Sequence, residues 1–306
     1  ELLFFSVLGF WRLRVRHDCV SRGRIYPDFL RFAPQGELSF IDELAGNISM
    51  RRRGNGLEFD HLRDWRCGDS VRAVDWRATG RRGKVIVRSF VEEQDQDVLV
   101  ILDSGYRLHR AESRLPVMST QFDMALTAAL LLAQAALRHG DAVGFSVFGA
   151  EERWIPLQRG PNALSFIVNA VYDIQSSSSP SSLFSALEAA LFHLKRRTFI
   201  VLVSNFRKED EVALKAVLKQ AGRHHIVLLA SIIEREVEEL AALYHGGEPA
   251  CESALLSAAA ATYINDRKRM FSRWESQGFL TLESSAEALN ANLIKRYLTV
   301  KLEGIL

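Results

Sequence analysis

The sequence predicts an α/β protein built on a doubly wound, mostly parallel sheet, with a β-containing extension at its N-terminal side. Three observations carry this expectation. Residues 97–103, 198–206 and 225–232 are almost continuously apolar, as strands covered on both faces must be. Between these runs the apolar spacing switches to the helical period, in segments of ordinary helix length. Two of the runs also lead into polar residues, Asp103 in the first and Ser204-Asn205 in the second, and open α/β sheets place their ligand crevices at such strand ends.

Taken in order, residues 11–33 alternate apolar and polar in places, with turn signals at Arg22-Gly23 and Pro27-Asp28, so short strands are expected there. Residues 36–53 read as a short helix or loop leading to Arg51-Arg52-Arg53. A strand-like pattern returns at 84–90, and the acid-rich residues 92–97 separate it from the strand at 97–103. A helix follows, with Ser119 or Thr120 as cap and Gly140 as its stop after Arg138-His139. Residues 142–149 form the next strand, and 153–157, carrying Pro156, suit a short edge strand. A helix at 162–173 leads to the serine-rich loop 176–182 and then to a second helix, in which Ser181 or Ser182 serves as cap. The strand at 198–206, an amphipathic helix ending near Gly222, and the strand at 225–232 follow. One long helical region at 233–276, a strand at 279–284 and a C-terminal helix complete the alternation. The expected division is a β-rich fragment with its linker at 1–50, a connecting segment at 51–92 and the α/β domain at 93–306.

With 306 residues and 48% hydrophobic composition, the chain is long enough for one main domain of roughly 200 residues and a smaller appended piece. A formal net charge of +2 gives no global field that calls for nucleic acid or an anionic membrane. Cys19, Cys67 and Cys251 form no C-x-x-C pair, which argues against a zinc site or disulfide framework and fits a reducing compartment. The opening ELLFFSVLGFW is shorter than the about 20 apolar residues a bilayer span requires, and it has no basic leader or cleavage site. Because Glu1 is not a methionine, the chain is expected to begin part-way into a longer protein. Residues 125–137 are also too short to span and contain Gln134, so they read as a buried core helix.

Catalytic signatures are missing: there is no nucleophile elbow, no P-loop and no glycine motif opening a helix. Gly54-x-Gly56 reads as a turn, and His224-His225 have no carboxylate or cysteine at metal-ligand spacing. The chain is therefore expected not to be an enzyme.

Residues 54–90 concentrate Phe59, Trp65 and Trp76 among acids, arginines and turn glycines. Together with the strand order above, the arrangement of loops after Asp103, at Ser181-Ser182 and at Ser204-Asn205 resembles the von Willebrand factor type A domain, a Rossmann-like fold. The pattern G-x-G-L-E-F, L-R-x-W, G-D, R-x-V-D-W-x-A-T and R-x-G-K-x-x-V-R-x-F closely resembles the bacterial family known as domain of unknown function fifty-eight, which carries it just ahead of a von Willebrand A-like domain. The resemblance covers residues 54–306. It implies a non-catalytic adaptor that works with a MoxR-type AAA+ ATPase in assembly or maturation of other complexes. It also implies a cytoplasmic location, or one at the cytoplasmic face of the inner membrane through an anchor upstream of Glu1.

In von Willebrand A domains a D-x-S-x-S loop, a threonine and a further aspartate bind a divalent cation. Here the serine positions are Gly105 and Arg107, Ser104 stands one place early, and Ser204-Asn205 replaces Ser-Asp. Asp103, Ser104, Ser182 and Asn205 thus form at best a degenerate metal site. One carboxylate, two missing hydroxyls and a nearby arginine suit Mg²⁺ poorly. No cofactor is expected, and Asp103 and Asn205 are expected to bond loop amides at the strand ends.

Between Arg51 and Arg88 eleven Arg or Lys residues stand against five acids, a formal excess of six. Interleaved tryptophans make single-stranded nucleic acid one alternative reading, and Mg²⁺-dependent adhesion is another. The spacing of acids beside arginines favours a structural collar instead, with Glu58, Asp69 and Asp75 pairing with Arg63, Arg72 and Arg77 while Trp65 and Trp76 pack on the sheet. Its outer face would dock the partner. Glu58, Arg63, Trp65, Gly68, Asp69, Arg72, Asp75 and Trp76 are the expected signature and partner-binding residues.

Overall fold

The computed structural model describes residues 2–5, 10, 12–15, 53–54, 58–66, 71–91, 96–112, 119–242 and 251–304. The turn signals at 22–28, the segment 36–52, Cys19, Cys67, Gly68 and Asp69 lie outside them.

The main sheet has six strands. Its members are β6 (Asp97–Asp103), β9 (Ala142–Phe148), β10 (Arg153–Gln158), β11 (Thr198–Val203), β12 (Ile226–Ile232) and β13 (Leu280–Ser284). They lie in the order β10-β9-β6-β11-β12-β13. Only β10 runs antiparallel to its neighbour, and its register shifts between Ile155 and Gln158, across Pro156; an edge tolerates both features. Numbered by appearance within the domain, the order is the doubly wound 3-2-1-4-5-6. The order reverses beside β6, where β9 lies on one side and β11 on the other.

Both faces of the sheet are covered, which is why the strand sequences are apolar without alternation. Val98, Val100 and Leu102 of β6 join one core with α2 (Gln121–Arg138), α3 (Ala163–Val171) and α8 (Leu289–Leu302). Leu99 and Ile101 point the other way, into a core with α4 (Leu183–His193), α5 (Lys208–Ala221) and α7 (Cys251–Ser276). Each such fully buried side chain contributes about 1.5–3 kcal/mol.

Helix α2 starts at Thr120, whose hydroxyl accepts from the Asp123 amide at 3.2 Å while Asp123 accepts from the Thr120 amide at 2.7 Å, a reciprocal cap. It stops before Gly140, whose φ of 86° suits glycine. Just beyond, the buried Asp141 accepts from the Lys301 ammonium at 2.6 Å, from the Gln96 amide at 3.1 Å and from the Tyr297 hydroxyl. Burial first, then the Asp141 charge and hydrogen bond, push the Tyr297 phenol well above its ordinary pKa.

The region expected as one long helix at 233–276 contains two, α6 (Arg235–Ala242) and α7, with the intervening residues outside the described set. Among the described residues no helix is long and apolar enough to cross a membrane.

Between β6 and α2 in the chain, β7 (Ala111–Glu112) pairs antiparallel with β8 (Ser119–Thr120), and ahead of this domain β1 (Leu2–Phe5) pairs antiparallel with β2 (Arg12–Val15). A separate three-stranded sheet orders β3 (Arg53–Gly54), β5 (Ile86–Val91) and β4 (Glu58–Asp64) as β3-β5-β4. Helix α1 (Trp76–Arg82) lies between β4 and β5 in the chain. Asp75 caps it by accepting from the Arg77 and Ala78 amides at 3.0 and 2.9 Å, and Gly83, with φ of 66°, closes it on the Thr79 carbonyl.

The tryptophans depart from expectation. Instead of packing on a sheet, Trp65 is 42% exposed and Trp76 68% exposed. Among the described residues of this segment, Val74, Ile86 and Val87 are the buried apolar ones. The seven-residue α1 has no buried residue of its own, so it offers no interior for an indole at its first position.

Candidate functional site

The crevice lies where β6 and β11 diverge. Buried side chains fix its loops: Leu108 is fully buried after β6, and after β11 the Phe206 ring meets Trp274 edge-on at 5.3 Å.

Asp103 stands at the centre, with no exposed surface. Its Oδ2 accepts from the Ser204 hydroxyl at 2.6 Å and the Ser181 hydroxyl at 3.1 Å, and its Oδ1 from the Gly105 amide at 2.9 Å. Burial pushes its carboxyl above the usual carboxylate range, while the bonds from Ser204, Gly105 and Ser181 and the Arg107 charge act against that rise. Arg107 Nε lies 3.9 Å from Asp103. The same guanidinium forks onto Asp210, Nη2 donating to Oδ1 at 2.8 Å and Nη1 to Oδ2, and it reaches the Asn205 carbonyl at 3.3 Å. Asp210 also accepts from the Arg207 amide at 2.8 Å, capping α5.

Asn205 turns away from Asp103. Its amide nitrogen donates to Gln121 at 2.7 Å and to the Arg107 carbonyl at 3.2 Å, and its oxygen accepts from the Ile232 amide at 3.1 Å. Asp103 thus bonds a loop amide, that of Gly105, whereas Asn205 bonds the amide of the last β12 residue. Ser104 donates to the Phe148 carbonyl at 2.8 Å, and Ser182 accepts from the Ser185 amide at 3.2 Å as the α4 cap. Of the expected set of Asp103, Ser104, Ser182 and Asn205, none of the other three side chains bonds the Asp103 carboxylate. Ser181 and Ser204 do, one residue to the side in each loop. Asp210 and Gln121 were missed. An acid three residues after Arg207, at the start of an amphipathic helix, was the available signal for Asp210.

These residues do not fit a divalent-cation centre. Such an ion needs several oxygens with negative charge among them, yet both oxygens of Asp103 already accept hydrogen bonds. The fixed charge of Arg107 stands where the second serine would be. A side chain at Gly105 has no room, since a Cβ there would lie 2.8 Å from the Ser181 side chain and 2.9 Å from the Ser179 carbonyl. Among the described residues no three His, Cys, Asp or Glu side chains form a metal-binding group.

Beside the crevice, between β10 and α4, runs a groove of about 580 Å³ lined by Phe148, Gly149, Trp154, Ser181, Ser182 and His193. The Trp154 and His193 rings stack there, with centroids 4.6 Å apart.

The signature residues fall on the smaller sheet and its helix. Glu58 and Arg63 lie in β4, and Arg72 in the 3-10 turn Val71–Ala73. Arg63 donates to the Asp64 carbonyl at 3.2 Å, and Asp75 is the α1 cap. Gly68 and Asp69 are outside the described residues. Trp65 and Trp76 are presented to solvent alongside Val71, which is 67% exposed, and Val85, which is 44% exposed.

Sheet order, two helical layers and a polar crevice at the switch point define a von Willebrand A-like α/β domain. The chain belongs to the family described as protein of unknown function DUF58, whose model matches residues 61–245. It is similar to the uncharacterized protein YeaD of Bacillus subtilis (strain 168), 20% identical over 137 residues, covering 44% of this chain and 31% of that protein. The chain thus spans roughly a third of that relative's length.

Among solved structures it is similar to the conserved hypothetical protein BatB from Bacteroides thetaiotaomicron, at 13% identity and TM-score 0.41, over 68% of this chain and 99% of that one. The SpRpn10 VWA domain overlaps at 11% identity and TM-score 0.40, over 66% of this chain and 94% of that one. The sheet order, not these overlaps, carries the fold assignment.

Proposed function

We propose that this chain is a non-catalytic interaction module, an adaptor that docks a MoxR-type AAA+ ATPase and serves the assembly or maturation of other complexes. The observation that supports it is the exposure of Trp65 and Trp76 together with Val71 and Val85. Arg66, Arg77, Arg81, Arg82 and Lys84 are exposed in the same segment. Tryptophan and arginine are favoured anchors of protein interfaces, and exposed aliphatic side chains add contact area that a phosphate backbone does not use. The switch-point crevice and its neighbouring groove form the second contact surface. In this reading the chain works on the cytoplasmic side of the membrane. Purified chain is expected to retain a MoxR-type ATPase in a pull-down, and Trp76→Ala with Arg72→Ala is expected to abolish retention. Retention that survives this double variant counts against the collar as the docking face.

The same exposed indoles among arginines favour a second reading, stacking on single-stranded nucleic acid. That reading requires affinity that falls steeply with salt, measured by titrating labelled oligonucleotide at two ionic strengths.

A further inference from the structure

The opposite end of the sheet carries a second concavity, outside both proposed docking surfaces. It is a cleft of about 590 Å³ at the end of α5 and the starts of β12 and β13, within the size range of small-molecule sites. Lys215 and Lys219 line it from α5 and Arg223 from the following turn, and no aspartate or glutamate is among its lining residues. Several other cations of the domain lie against acids: Arg107 with Asp210, Arg153 with Asp173, Arg235 with Glu287, Arg267 with Glu283 and Arg273 with Glu211. The α5 dipole favours a cation at Lys219 in its last turn. Lys215 stands one turn earlier, four residues after Glu211 and four before Lys219, so its setting is mixed: the acid favours it and the second lysine repels it.

The floor is of a different character. Ile226, Phe279 and Leu280 supply apolar surface, and the Phe279 ring comes within 3.0 Å of where a Gly222 side chain would begin. Gly278, with φ of 89°, has open space around its Cα. His225 also lines the cleft, and its Nδ1 is shielded from solvent with no hydrogen-bond partner, a costly state for a polar atom. Cations above an apolar floor suit an anion that carries an apolar or planar body.

We infer that this cleft binds a small phosphorylated molecule, its phosphate held by Lys215, Lys219 and Arg223 and its remaining body set on the Phe279 floor. A soluble nucleotide and a phospholipid headgroup share this chemistry.

The test titrates the full chain with pyrophosphate and with ADP, and in a separate arm with phosphatidylcholine vesicles containing phosphatidylglycerol. Saturable binding is expected in at least one arm, with shifts of the Gly222 and Gly278 amide resonances for the soluble probes. Lys215→Glu with Lys219→Glu should weaken it at least about tenfold, as expected when charge-assisted contacts to phosphate are lost. The control Lys268→Glu with Lys295→Glu, exposed on other helices, should leave it unchanged. Binding of soluble probes alone assigns the nucleotide class, and binding of vesicles alone assigns the headgroup. No saturable binding in either arm, or equal loss in the control, overturns the inference. Should the charge reversal fail to fold, Lys215→Gln with Lys219→Gln replaces it, and unweakened binding by that variant overturns the inference too.

Discussion

Arg107 and Asp210, 103 residues apart in sequence, meet through a two-pronged contact in which Nη2 lies 2.8 Å from Oδ1 and Nη1 bonds Oδ2. Burial works against the guanidinium's charge, but the hydrogen bond and charge of Asp210 more than reverse that, leaving its pKa above the ordinary value. The Arg107 side chain and carbonyl also hold Asn205. One side chain thus ties the loop after β6 to the loop after β11 and to the first turn of α5.

Arg107→Ala leaves Asp210 without its partner and removes the positive charge nearest Asp103. Breaking a buried pair in this way costs about 3–5 kcal/mol, read as a fall in the urea midpoint. Arg107→Met with Asp210→Asn removes both charges, keeps a side-chain oxygen for the Arg207 amide, and should recover much of the loss. A double variant as unstable as the single one would contradict this account.

Gly105→Ser restores a hydroxyl that a cation site would use, yet its Cβ meets Ser181 and the Ser179 carbonyl at under 3 Å. Overpacking of this kind costs about 1–3 kcal/mol. A variant as stable as the parent would show that loop 176–182 yields readily.

Mg²⁺ is expected to leave the melting curve unchanged. A bound ion would raise the midpoint in step with its concentration over its dissociation constant, and about 10 mM MgCl₂ against a chelator control is enough to detect a site of ordinary affinity. A clear upward shift would mean that the Asp103 loop admits a cation after all.

The Tyr297 phenol has a folded pKa raised well above 10, so the folded state holds its proton more tightly than the unfolded state does. Its contribution is complete below about pH 10 and is lost as pH climbs toward the folded value. Tyr297→Phe should cost about 1–2 kcal/mol near neutrality and make the alkaline loss of stability shallower. Guanidine titrations at several alkaline pH values measure both effects, and parallel pH profiles would rule out this linkage.

Trp76→Ala should change stability by no more than about 0.5 kcal/mol, as surface substitutions do, because the indole is 68% exposed. Calorimetry checks this, and it makes the variant a clean probe of partner binding. A loss of several kcal/mol would place the indole in a core.

The doubly wound sheet was legible because burial on both faces writes uninterrupted apolar runs, and β6, β11 and β12 appear as such. The caps of α2 and α4 were legible to within one residue, as Ser119 or Thr120 and as Ser181 or Ser182, and the structure selects Thr120 and Ser182. Orientation was not. Which of two adjacent serines meets Asp103 depends on loop paths, and Ser181 and Ser204 reach it only because α4 and β11 begin and end where they do. The tryptophans were misjudged because composition reveals apolar surface without revealing whether an interior exists to take it. A seven-residue helix over a three-stranded sheet has little to spare once Val74, Ile86 and Val87 are inside. The Arg107–Asp210 contact spans two elements whose proximity is a property of the sheet order alone.

The cluster of Asp141, Tyr297 and Lys301 joins the turn before β9 to α8, the most C-terminal described helix. Strands β6 and β9 and helix α2 therefore leave the ribosome well before the side chains that neutralise Asp141 exist in the nascent chain. One face of the sheet must wait, half-clothed, for that helix to arrive, and translation sets the length of the wait.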